Sequence, residues 1–235
     1  MKQFCRAALA ILLLPVCYGV ACSLWSLALN FKQVPEGSFY FAVGFAGYLA
    51  FQWIFFKPMR TYVFGHELTH ALAAWATGGE VHQFRVSKKG GSVTVTKPNI
   101  FVALAPYMIP LYAMGLMVAY FGVNWAYNLS PYWSYFLGLL GAAMAFHAAL
   151  TFFALKQNQP DLKSAGKLLS GVMIFLGNAL VVVFLAGVLF PRTVSWSLFL
   201  RGAKTHTLIL CENIGTTSTQ AFNHSQKYIN GHYPR

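Results

Sequence analysis

Long apolar runs separated by short polar breaks limit what this chain can become more than any other feature. Runs starting near Ala7, Ser38, Thr61, Asn99, Trp133 and Leu168 each last about 17–25 residues, enough for a helix to cross a bilayer. In lipid every backbone donor and acceptor must be paired within the chain, so such runs fold as helices. Hydrophobic residues make up 57% of the chain and charged residues 9%, against roughly 25% charged in soluble domains. The expectation is an all-α polytopic membrane protein with about six transmembrane helices. A single integral membrane domain would cover residues 1–200 and a polar tail residues 201–235.

Lys2 and Arg6 precede the first run, which continues to about Phe31. A signal peptide's apolar region usually ends after ~7–15 residues, so this run reads as a retained first membrane helix. The 17 basic residues exceed the 5 acidic ones, for a formal charge of +12. They sit between the apolar runs and in the tail, which suits contact with anionic lipid headgroups. No interleaving of basic and aromatic residues suggests nucleic acid. With six spans the basic residues divide almost evenly between the two sides, so the positive-inside rule sets no orientation. Cys5, Cys17, Cys22 and Cys211 have no ligand spacing.

The third run carries the chemistry. His66-Glu67-Leu68-Thr69-His70 puts two imidazoles one turn apart on one helical face, where both can reach a single metal ion. The glutamate between them projects to the side, placed to act as a base without being a ligand. Ionisable groups cost ~2.5–3.5 kcal/mol or more at the centre of a membrane helix, so three of them in five residues mark a functional site. Gly78-Gly79 ends the helix. Beyond it, His82, Phe84 and Val86 alternate with polar residues, and so do Val93 and Val95 after Gly90-Gly91. Period-two patterning around a Gly-Gly turn predicts a small membrane-associated β-hairpin. Pro106 and Pro110 interrupt the fourth run. They free backbone carbonyls, either as a simple kink or to line a buried cavity.

A catalytic zinc site takes three protein ligands, and two candidates remain for the third. His147 lies in the fifth run, and Asp161, the lone aspartate, follows Pro160 between the fifth and sixth. They stand 14 residues apart, roughly 21 Å along a helix, so one ion cannot take both. Asp161 is favoured because an unpaired aspartate between two spans has no easy resting state, whereas a buried histidine can stay neutral.

With its HELTH motif, Gly78-Gly79 stop, hairpin and Pro160-Asp161, the chain resembles the site-2 protease family of intramembrane zinc metalloproteases over residues 61–190. The resemblance implies that His66, His70 and Asp161 bind one zinc ion and that Glu67 activates water. Family members usually read Leu-Asp-Gly at the aspartate, whereas this chain reads Asn158-Gln159-Pro160-Asp161-Leu162. His147 and Asn158 are then neighbours of the site, and Val93 and Val95 offer a strand edge to an extended substrate. The implied function is an intramembrane endopeptidase acting on membrane-protein substrates, in a bacterial inner membrane by family resemblance. The alternative is a non-catalytic protein of the same fold that binds client proteins or lipids, but such a protein has no need of Glu67.

Overall fold

The structure, a computed structural model, describes residues 2–30, 37–87, 90–157 and 159–232, with residues 2, 30 and 221–232 by backbone alone. Helices α1 (Lys2–Asn30), α2 (Ser38–Ile54) and α3 (Met59–Ala76) lead to a hairpin of β1 (Val81–Ser87) and β2 (Gly90–Val95). Then follow α4 (Ile100–Met108), α5 (Leu111–Ala126), a 3-10 turn at Ser130–Tyr132, α6 (Trp133–Leu155), α7 (Pro160–Ala165), α8 (Lys167–Leu189) and α9 (Trp196–His232). The fold is mostly helical, with one small antiparallel sheet in which Phe84 pairs with Val93 and Val81 with Val95.

Among the described residues, three helices are long and apolar enough to cross a membrane: Gln3–Leu29, Ser130–Leu155 and Lys167–Leu189. Helices α4 and α5 make a fourth if the pair, bent by 71°, counts as one span. The bend has a chemical cause. Pro110 has no N–H to offer the carbonyl of Pro106, and Ile109 between the helices is extended.

Helix directions correct the expectation of six successive crossings. Gly37, before α2, lies against Trp133 and Leu137 at the start of α6. Farther along, Gly141 abuts the backbone of Phe41 and Phe45, and Tyr48 meets Phe146 edge-on. Past the end of α2, Lys57 lies over the Phe153 ring. Positions rise together on both helices, so α2 and α6 run parallel. Six successive crossings would instead set them antiparallel. The physical reason lies in α3 and the hairpin, which double back. Gly78 adopts a left-handed φ of 73°, and Gly79 N–H caps the Ala74 carbonyl at 2.8 Å, which stops α3 abruptly. The hairpin then runs back along α3, with Phe84 edge-on against Phe64 and Gly91 against Glu67. The Asn99 side chain caps α4 by accepting from Val102 N–H, and its amide donates to Thr77 at the end of α3.

The rest of the bundle frames this unit. Helix α1 runs parallel to α8, with Ala10 packed on Leu169 and Val172 and Val20 on Ala179 and Val183. Helix α9 returns antiparallel along α1, where Ser23 donates to the Phe199 carbonyl at 2.7 Å and Thr207 abuts Gly19. Residues 201–232 of the segment read from sequence as a polar tail are thus helical, and the first part of that stretch is packed.

Close approach of α2 and α6 depends on glycine, since a Cβ on Gly44 would strike the backbone of Gly138. Small residues of this kind let membrane helices touch backbone to backbone. Gly47, one turn on, faces open space. Gly44→Ala should therefore lower thermal stability in detergent by about 1–3 kcal/mol. Gly47→Ala should leave it unchanged or raise it slightly. Equal melting temperatures for the two variants would contradict this packing.

Candidate metal centre

Helical periodicity brings His66 and His70 together, as two residues four apart share a face. Their Nε2 atoms lie 3.2 Å apart. Asp161, 91 positions beyond His70, brings Oδ2 to 3.6 Å from His66 Nε2 and 3.4 Å from His70 Nε2. Metal–ligand bonds of about 2.0–2.2 Å at tetrahedral angles separate ligand atoms by about 3.3–3.6 Å. The three atoms thus stand at the spacing of three corners of a metal tetrahedron. His66, His70 and Asp161 form a group that could hold a metal ion.

The surroundings prepare each donor. His70 Nδ1 lies 2.7 Å from the Val102 carbonyl. Donating its proton there leaves the Nε2 lone pair for a metal. The Val102 carbonyl is available because Pro106, four residues on, has no N–H to occupy it. The prolines of the fourth run therefore do more than kink a helix. His66 Nδ1 sits 3.4 Å from the Tyr62 hydroxyl. Asp161 stands in the first turn of α7 directly after Pro160, which suits both the proline's fixed φ and a carboxylate at a helix start. Tyr107 donates to Asp161 Oδ2 at 3.1 Å.

Glu67 is 7% exposed. It shares with the three donors a cavity of about 1310 Å³. Gly91 of β2 lies directly over it, and a Cβ there would come within 2.8 Å of Glu67 Oε1. Of the hairpin's described residues, Gly90, Gly91, Ser92, Val93 and Val95 of β2 line the cavity, and those of β1 do not. Arg6 of α1 reaches the same cavity and donates to the Ser164 carbonyl at the end of α7.

His147 does not join the three donors. Its Nε2 is buried without a hydrogen-bond partner among the described residues. It borders a separate space of about 20 Å³ shared with His66, Thr69 and Tyr112, which is room for one water. Asn158 lies outside the described residues. Tyr62 and Tyr107 were not singled out from the sequence, and Arg6 was noted there only as a flank of the first run. Gly91 was read as half of a Gly-Gly turn, but both glycines belong to β2, with Gly90 paired to Ser87 and Gly91 to Val86.

A family model described as Peptidase M50B-like matches residues 39–197. The chain belongs to that family, the site-2 protease family. No curated protein and no solved structure matches the chain. The family is one of metal-dependent membrane proteases, in keeping with the candidate spans and the His-His-Asp group. Helix α1 and most of α9 lie outside the matched stretch, so Arg6 comes to the cavity from beyond the family core.

Asp161→Ala should lose most of its bound metal after purification, because the remaining two imidazoles cannot close the site. His147→Ala should keep it. Metal analysis of the two purified variants checks this, and the reverse pattern would move the third ligand to His147.

Proposed function

We propose that this protein is an intramembrane zinc metalloendopeptidase that cuts membrane-spanning substrates near or within the bilayer, with Glu67 as the general base. The observation that carries the reading is Glu67 buried in one cavity with three converging metal donors and an open strand edge. Zinc is favoured by the donor set, since two histidines with one carboxylate hold the metal of zinc peptidases.

When bound, zinc supplies Lewis-acid polarisation of the scissile carbonyl and makes water acidic enough to ionise near pH 7. Glu67 takes a proton from the attacking water as the new C–O bond forms. It then passes that proton to the amide nitrogen as the C–N bond breaks, leaving a carboxylate and an amine. His70 is kept in one orientation by Val102, so its Nε2 stays aimed at the site.

A helical substrate hides its scissile carbonyls in hydrogen bonds and must be unwound before attack. The β2 edge offers the compensating partners, since an extended segment laid along it regains backbone hydrogen bonds. Gly91 brings that edge against Glu67. Lys57 and Lys156, lying over Phe153 and Phe152 at the same end of the bundle, suit anionic headgroups at the membrane surface.

Glu67→Gln should keep its zinc yet lower cleavage of a single-span substrate by at least ~10²–10⁴, the usual contribution of a general base. Wild-type turnover in that variant would refute the mechanism. Val93→Pro removes a backbone donor from β2 and should weaken cleavage while sparing zinc. Unchanged cleavage would show that the hairpin is not the substrate clamp.

A further inference from the structure

Tyr107 joins the metal centre to the membrane-embedded core. It is fully buried, at 0% exposure. Its hydroxyl donates to Asp161 Oδ2, the oxygen that faces the two imidazoles. Its ring stands edge-on to His66, with centroids 5.2 Å apart and planes at 86°. One side chain on α4 thus touches a donor on α3 and a donor on α7. Its backbone is held as well, since the Asn178 amide of α8 donates to the Tyr107 carbonyl at 2.8 Å and to the Ile174 carbonyl of its own helix at 2.8 Å. Helix α4 can lie that close to α8 because the neighbouring residue is Gly177, where a Cβ would come within 2.7 Å of Met108 Cγ.

We infer that Tyr107 is a positioning residue for Asp161, and that Asn178 with Gly177 forms the α4–α8 lock that fixes where Tyr107 stands. The physical need is specific. Asp161 rides on a six-residue helix between two spans, too short to hold a carboxylate rigidly by itself. An ionised carboxylate oxygen has capacity for both a metal and one donor. The Tyr107 hydroxyl occupies the second site and leaves the first turned towards His66 and His70. Hydrogen-bonded neighbours of this kind typically change metal affinity 10–100-fold when removed. The lock also gives the part-buried Asn178 amide its place in an apolar span. An unsatisfied amide there is costly, and each of its two N–H groups has a carbonyl.

The inference rests on Asp161 being a zinc ligand, so the experiment carries Asp161→Ala alongside. Zinc affinity is measured by chelator competition on the purified full-length protein in detergent, together with its melting temperature. Tyr107→Phe keeps the ring against His66 and removes only the hydroxyl. It should weaken zinc binding about 10–100-fold with the apo-protein melting point little changed. Asn178→Ala should weaken zinc binding in the same direction, and it decides the matter should Tyr107→Phe fail to fold. Wild-type affinity in both variants, with zinc lost in Asp161→Ala, overturns the positioning role alone. Zinc retained by Asp161→Ala overturns the ligand assignment first and the positioning role with it.

Discussion

The structure depends on placing one carboxylate, Asp161, against two imidazoles inside an apolar bundle. A half-buried carboxylate without partners would tend to give up its charge, and here the partners come from two elements. His66 and His70 approach from α3, and the Tyr107 hydroxyl from α4. Everything else that is unusual in the fold serves that convergence. Helix α4 stops short at Met108, α7 is a single short turn of chain, and α3 is folded back on by its hairpin.

Proline accounts for much of this. A membrane helix with all its carbonyls paired internally has nothing to offer a side chain from a neighbour. Pro106 and Pro110 leave carbonyls without their helical donors, and one of these, at Val102, fixes the tautomer of His70. The same break bends α4 from α5 by 71°. That bend lets α4 lie along α3 while α5 goes on to meet α6.

Glycine accounts for the remainder. Gly91 allows β2 to rest on Glu67, Gly44 and Gly141 seat α2 on α6, and Gly177 admits Met108 against α8. In each case the missing Cβ removes a collision, and backbone reaches a place where any other residue would stand off. One of these contacts, Gly91 on Glu67, borders the cavity of the candidate metal centre. The geometry of that site and the packing of the bundle therefore rest on the same kind of contact.

What the sequence determined by itself is what depends on local spacing. The helical period puts His66 and His70 on one face whatever surrounds them. The two-residue period of the stretches before and after residues 88–89 makes a hairpin, though Gly90-Gly91, read as its turn, begins β2, and long apolar runs make helices. Asp161 could be favoured over His147 because a lone aspartate needs a partner, though that argument names no partner. Tertiary structure alone decided the rest. The parallel direction of α2 and α6 arises from contacts between residues about a hundred apart, and counting apolar runs led instead to six crossings. Tyr107 meets Asp161 across 54 positions, and Asn178 reaches Tyr107 across 71. In the sequence, Asn178 and His147 are only polar residues in apolar spans. Periodicity records which face a residue occupies on its own helix. Which other helix that face meets, and at what height, is fixed only when the whole bundle closes.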